Sequence, residues 1–216
     1  MKKLITTVAI LACAQFAQSA QSAYAGGMES LESFVKTAKT GKAEFTQVVT
    51  APAREGQAAR SKTSSGTFEF SRPARFRFDY RKPFEQMIVA DGQNLWLYDV
   101  DLKQVTSRKQ AQVLGSTPAA LIASSPDLNA LKKDFTLEAI ADRDGLQWVQ
   151  ATPKVKDGQL NSVKIGFKGN DLAALDILDS FGQRSVISFA KMELNAGVSA
   201  DSFQFKPPPG VDVVKQ

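Results

Sequence analysis

RPARFRFDYRKPFEQMIVADGQNLWLYDVDLKQVTSR, residues 72–108, carries the clearest structural pattern in this chain. Apolar and polar side chains alternate along it with a period of two, which is typical of β-strands. Phe76, Phe78 and Tyr80 fall on one face of such a strand, and the charged residues between them fall on the other. Residues 95–98 are apolar on both faces, so we expect that strand to be covered on each side.

The pattern changes from helix to strand early in the chain. Residues 28–39 place Leu31, Phe34, Val35 and Ala38 at the i, i+3, i+4, i+7 spacing of one helical face. Residues 51–65 predict a polar loop, and residues 118–122 and 127–131 predict two short helices. Strands are predicted at 43–49, 66–71, 75–80, 86–90, 94–99, 104–107, 135–142, 146–152, 162–167, 172–179 and 184–194, followed by a short edge strand at 203–205 and an extended Pro-rich tail.

These elements predict a mainly β protein with one domain at residues 26–216. A single curved antiparallel sheet of about 11 strands would form an unclosed β-barrel lidded by short α-helices. The aromatic side chains exceed what one short helix could cover. A barrel interior of that size is either filled by its own side chains or keeps a cavity for an apolar ligand, and the pattern alone leaves both open.

The N-terminus has the order of a secretory signal peptide. Lys2 and Lys3 precede a short apolar run, and an A-x-A site ends at Ala25. Residues 1–25 are therefore predicted to be removed on export, which leaves Gly26 as the first residue. The alternative is that Ile10–Cys13 is a lipobox, in which case Cys13 would be acylated and would anchor the protein to a membrane.

The composition excludes several kinds of chemistry. The chain has no histidine and one cysteine, which removes Ser-His-Asp and Cys-His catalytic systems and His-based zinc sites. Its net charge of +5 comes from scattered basic residues, which argues against a nucleic-acid partner. We expect no catalytic residue, metal or cofactor. An enzyme of the cell envelope would need convergent polar side chains, and a carbohydrate-binding module would need aromatic side chains on a flat exposed face.

Residues 72–108 resemble the defining segment of the periplasmic outer-membrane lipoprotein carrier proteins, the LolA-like family. Further matching features are residues 43–47, Thr117-Pro118 with Leu121-Ile122, and residues 203–205 followed by a Pro-Pro-x-Gly sequence. The resemblance implies a monomeric periplasmic chaperone that takes the acyl chains of lipoproteins from an inner-membrane ABC transporter complex and passes them to an outer-membrane receptor. The resemblance also implies that the outer-membrane receptor has the same fold but carries a lipid anchor. Acylation of Cys13 would therefore indicate the receptor instead of the carrier.

The resemblance also implies roles for individual residues. Arg72 would latch the lid onto backbone near Pro118, Leu121 and Ile122. The residues implied to line the acyl-chain cavity are Phe76, Phe78, Tyr80, Ile88 and Trp96. On its residue type alone, Arg72 is either a solvated edge charge or a clamp with five fixed donors for backbone carbonyls.

The energetics of burial restrict how cargo can be held. A lipoprotein's three acyl chains contain about 45 methylenes, each worth about 0.8 kcal/mol when buried. Full burial would exceed the ceiling of roughly 18 to 21 kcal/mol for reversible binding. We hypothesise a partial hold, in which the bonds between Arg72 and the lid stabilise the empty closed state and so weaken net affinity.

Overall fold

The computed structural model describes residues 17–53, 56, 58–113, 123, 127–155 and 158–216. Twelve strands in this part of the chain form one sheet. They are β1 (Thr40–Thr50), β2 (Ser61–Ser71), β3 (Arg75–Lys82), β4 (Gln86–Asp91), β5 (Asn94–Asp99), β6 (Gln104–Lys109), β7 (Phe135–Arg143), β8 (Leu146–Pro153), β9 (Leu160–Lys168), β10 (Asp171–Asp179), β11 (Arg184–Leu194) and β12 (Asp212–Lys215).

The strand order is β12-β6-β5-β4-β3-β2-β1-β11-β10-β9-β8-β7. Neighbouring strands are antiparallel except for β12, which pairs with β6 in parallel. The sheet therefore has two edges, β12 and β7, that do not pair with each other in the described part of the chain. This confirms the predicted mainly β fold built on one unclosed, curved sheet.

Three α-helices and a 3₁₀ turn accompany the sheet among the described residues. They are α1 (Ala17–Thr37), α2 (Gln110–Val113), α3 (Leu128–Asp134) and the 3₁₀ turn Ala200–Phe203. The apolar face predicted for the first helix is buried, with Leu31, Phe34, Val35 and Ala38 at most 2% exposed. The helix is longer than predicted at its N-terminal end and ends two residues earlier, at Thr37. Asp127 caps α3 by accepting a hydrogen bond from the Ala130 N–H.

Two sequence predictions about irregular segments were wrong. Residues 61–65 are not loop: β1 and β2 form a hairpin that pairs Thr50 with Ser61 and continues without interruption to Thr40 and Ser71. Its polar end is exposed, so it lacks the apolar alternation by which strands are recognised. Residues 203–205 are not an edge strand, because Phe203 ends the 3₁₀ turn, and the strand of this region is the later β12.

The core of the protein lies on the concave face of the sheet. The strand register places Phe70, Phe76, Ala90 and Leu95 side by side in one row across β2–β5. The next row contains Phe68, Phe78, Ile88 and Leu97. Helix α1 packs against β7 and β8, and Phe34 reaches the rings of Phe70 and Phe167. One end of the concave face is thereby filled.

The convex face of β3–β6 has its own cover, as the apolar sequence of β5 predicted. Phe205 packs on Trp96 and Tyr98, with ring centroids 5.6 and 5.9 Å apart. Arg77 ties this cover down by donating to the Ser202 carbonyl at 3.1 Å and to the Asp79 carboxylate at 2.8 Å. The segment that follows the 3₁₀ turn therefore covers the convex face before the chain enters β12.

Several predicted features lie outside the described residues. They are the lid helix at 118–122, Cys13 and most of the predicted signal peptide. Among the described residues, no helix combines the length and the apolar composition that crossing a membrane requires.

Gly66 is predicted to be essential for the close approach of β2 to β3. A Cβ at Gly66 would overlap the Asp79 carbonyl oxygen, at the bulge where the register shifts between Ser65 and Gly66. We expect Gly66→Ala to lower the free energy of unfolding by about 1–3 kcal/mol, because backbone atoms cannot give way as a side chain can. Gly197→Ala is the control, since a Cβ there meets no atom within 4 Å. Chemical denaturation showing equal stability of the two variants would contradict this account of the bulge.

Candidate functional site

Aromatic rings from adjacent strands form one continuous cluster on the concave face. Phe68 lies 4.5 Å from Phe78 between ring centroids, and Phe45 lies 5.3 Å from Phe78. Tyr80 extends the cluster through an edge-to-face contact with Phe45 at 5.0 Å. These separations are those of directly packed rings. Phe68 and Phe78 are 0% and 6% exposed, so this part of the concave face is filled by the protein's own side chains.

The structure brings together four of the five residues predicted to line a cavity. Phe76, Phe78, Tyr80 and Ile88 belong to, or pack against, the concave-face core. Whether they contact a ligand remains a prediction.

Trp96 is not among them, and its predicted place in the cavity was wrong. It pairs with Val89, whereas the cavity-side Ile88 pairs with Leu97. Trp96 therefore points to the convex face, where its indole N–H donates to the Asp91 carboxylate at 2.8 Å. Leu97 occupies the concave-face position instead. Both faces of β5 are apolar, so the sequence did not distinguish them.

A pocket opens where the aromatic cluster ends. Its volume is about 700 Å³, which is within the range of small-molecule binding sites, and its wall includes Tyr80, Gln47 and Gln86. Two apolar side chains from strand-connecting turns, Phe84 and Leu102, stand at the rim and are 58% and 71% exposed. The concave side is thus packed at the α1 end and hollow at the opposite end.

A short chain of hydrogen bonds marks the boundary between these two regions. The Tyr80 hydroxyl donates to the Gln47 Oε1 at 2.9 Å. The Gln47 Nε2 in turn donates to the Ser185 Oγ at 2.7 Å. Burial raises the pKa of Tyr80 to about 12, so the hydroxyl stays protonated and can act as a donor at neutral pH.

Arg72 lies at the packed end of the concave face. Its guanidinium carbon is 5.4 Å from the centroid of the Phe34 ring and 6.0 Å from that of Phe70. Its backbone N–H donates to the Lys39 carbonyl at 2.8 Å. Burial lowers the pKa of Arg72 to about 10, which still leaves it charged at neutral pH. A half-buried cation between α1 and β2 is not the solvated edge charge that the sequence left open.

The segment expected to form the lid is attached close to Arg72. The Ala74 N–H donates to the Ala123 carbonyl at 2.8 Å, and Ala123 is fully buried. The Gln110 side-chain amide donates to the Ala74 carbonyl, and its Oε1 accepts from the Gly92 N–H at 2.9 Å. Ala74 therefore fixes both Gln110 and Ala123. Residues Pro118, Leu121 and Ile122 lie outside the described residues, so contact between them and Arg72 remains a prediction.

Sequence reasoning missed Gln47 and Gln110. Gln47 had a detectable signal, because it lies two residues after Phe45 on the same strand and therefore shares its concave face. Gln110 had none. It is 1% exposed, and its three-way contact joins turns that are distant in sequence.

The ion pair of Asp176 with Arg184 lies on the convex side of the sheet. Asp176 accepts from Arg184 at 2.7 and 2.8 Å, and those hydrogen bonds lower the pKa of its carboxyl group despite burial. Its register partner Lys164 neighbours Ile165, which belongs to the concave core, so Asp176 faces the other way. No group of three or more Cys, Asp or Glu side chains with the geometry of a metal site occurs in the described ranges. The charged residues here hold the sheet together.

Comparison with known proteins places these features in a family. A family model described as "Outer membrane lipoprotein carrier protein LolA" matches residues 36–206. An outer-membrane lipoprotein carrier protein from Albidiferax ferrireducens is 68% identical over 180 residues, which cover 82% of this chain and 84% of the relative. Proteins of the same description from Methylibium petroleiphilum and Leptothrix cholodnii are 54% and 53% identical over 176 residues, with 82% of this chain covered and 83% and 79% of the relatives.

Proposed function

This chain belongs to the outer membrane lipoprotein carrier family LolA, and on that premise we propose that it is a periplasmic chaperone for lipoproteins. It binds the acyl chains of lipoproteins released from the inner membrane and delivers them to an outer-membrane receptor. The observation that carries the proposal is the concave face, where a wall of aromatic rings leads to an open pocket of about 700 Å³. The aromatic wall is a surface suited to apolar chains.

The packing of the concave face supports reversible binding. Phe68, Phe70 and Phe76 are at most 2% exposed, so acyl chains reach this depth only by displacing contacts that the empty protein already makes. The favourable burial of cargo is offset by the loss of those contacts. Net affinity then stays below the full transfer free energy of three acyl chains, which would be too large for release.

Arg72 also limits the net affinity for cargo, because its interactions stabilise the closed, empty state of the protein. Its guanidinium packs on rings of α1 and β2, and the turn that follows it holds Ala123 at the end of the lid segment. Cargo that separates these elements must break the interactions of Arg72. Arg72 thereby lowers the affinity for cargo and keeps transfer to a tighter receptor favourable.

Two membrane partners complete the proposal. An inner-membrane ABC transporter complex supplies the cargo, and an outer-membrane receptor accepts it. The carrier moves between them as a monomer, exported by a signal peptide that is cleaved after Ala25.

Replacement of Arg72 by Leu is predicted to separate loading from delivery. We expect Arg72→Leu to take up lipoprotein from inner-membrane vesicles within about twofold of the wild-type amount, because the apolar wall is intact. Delivery to outer-membrane vesicles should fall at least about tenfold, since a latch worth more than about 1.4 kcal/mol is lost. The measurement is radiolabelled lipoprotein in each membrane fraction after incubation.

Arg75→Leu is the matched control for this experiment. Arg75 is three residues away, and its guanidinium lies 5.7 Å from the Phe203 ring on the convex face. It should deliver cargo as the wild type does. Normal delivery by Arg72→Leu would contradict the proposed role of Arg72 as a latch. Failure of the wild type to take up cargo would overturn the proposed function itself.

The N-terminus separates the carrier from an anchored receptor of the same fold. Intact-mass measurement of the protein purified from the periplasm should give a chain that begins at Gly26. A chain that begins at an acylated Cys13 would instead identify a membrane-anchored receptor.

A further inference from the structure

The concave face changes from apolar to polar over a single step along the strands. The row Ala43, Phe68, Phe78, Ile88 and Leu97 is entirely apolar. Two residues further towards the pocket, the next row contains Phe45, Gly66, Tyr80, Gln86 and Asp99. Since two residues of a strand span about 7 Å, a ligand lying along the strands meets this boundary at one fixed depth.

The hydrogen bonds at the boundary leave one suitable donor for a ligand. A glutamine amide has two N–H groups, and that of Gln47 uses one on the Ser185 hydroxyl, which leaves the other for a ligand in the pocket that Gln47 lines. The Gln47 oxygen is occupied by the Tyr80 hydroxyl, which fixes the orientation of the amide. The group best matched to the remaining N–H is a carbonyl oxygen.

We propose that Gln47, oriented by Tyr80, binds the carbonyl oxygen of an ester or amide that joins an acyl chain to its polar head. The inference rests on the proposed function and adds a polar subsite to it. Acyl chains would lie towards Phe78 and Ile88, and the linkage would stop at Gln47, so the depth of insertion is set by a hydrogen bond. Gln47 contacts the ligand, and Tyr80 is a positioning residue.

The need of the Tyr80 hydroxyl for a hydrogen-bond partner does not by itself explain why Gln47 lies beside it. Tyr80 and Gln47 both line the pocket, so water in the pocket could satisfy the Tyr80 hydroxyl without a glutamine. A glutamine placed two residues beyond Phe45, on a face whose deeper rows are apolar, is better explained by a ligand that is itself apolar at one end and polar at the other.

The test compares two lipids that differ only in the carbonyl oxygens. One is a lipopeptide with two ester-linked palmitoyl chains on an S-glyceryl cysteine, and the other is its dihexadecyl ether analogue. Dissociation constants for both are measured by isothermal titration on the wild type, Gln47→Leu and Tyr80→Phe. Tyr98→Phe is the matched control, because it removes a tyrosine hydroxyl from the convex side of β5, where the ring contacts Phe205. Thermal unfolding of each variant checks that it is folded.

We expect the wild type to prefer the ester by about 5- to 10-fold, which corresponds to one net hydrogen bond. Gln47→Leu should bring the ratio close to one, Tyr80→Phe should reduce it, and Tyr98→Phe should leave it unchanged. An ester preference that is absent in the wild type, or is retained in folded Gln47→Leu and Tyr80→Phe, would overturn the subsite while leaving the carrier function standing. Failure of the wild type to bind either lipid would overturn both.

Discussion

Ring-to-ring packing across β1, β2 and β3 is the interaction on which the rest of the structure depends. Phe45, Phe68, Phe78 and Tyr80 bring the concave sides of these strands together, with Phe68 and Phe78 only 4.5 Å apart. A single sheet has no second sheet to cover its apolar face, so it must curve around that face and receive a helix on it. The position of α1, the depth of the core and the place where the pocket begins all follow from this packing.

The same packing sets the balance between holding and releasing a ligand. An empty hollow large enough for every acyl chain would expose a large apolar surface and would bind too tightly once filled. This protein fills the deep end with its own aromatic side chains and leaves about 700 Å³ at the mouth. Ligand burial therefore competes with native contacts, and Arg72, packed against Phe34 and Phe70, adds to what the ligand must displace.

The sequence predicted the positions of side chains correctly on strands that have one apolar and one polar face. Phe76, Phe78 and Tyr80 were correctly placed together for that reason. Trp96 was misplaced because both faces of β5 are apolar, and only its register with Val89 decides between them. The exposed end of the β1–β2 hairpin and the parallel strand β12 carry no periodic signal, and Gln110 is buried by contacts with distant turns.

Titration of the mature protein with a fluorescent fatty acid tests the central claim, that the concave face binds acyl chains, most directly. We expect saturable binding of about one probe per protein molecule, competed by a triacylated lipopeptide. Phe78→Glu, which places a charge in the aromatic wall, should weaken probe binding at least about tenfold, because the ligand would have to desolvate the carboxylate. Phe181→Glu, at a side chain 73% exposed on the β10–β11 turn, should not. Absence of saturable binding, or equal binding by the two variants, would contradict the account.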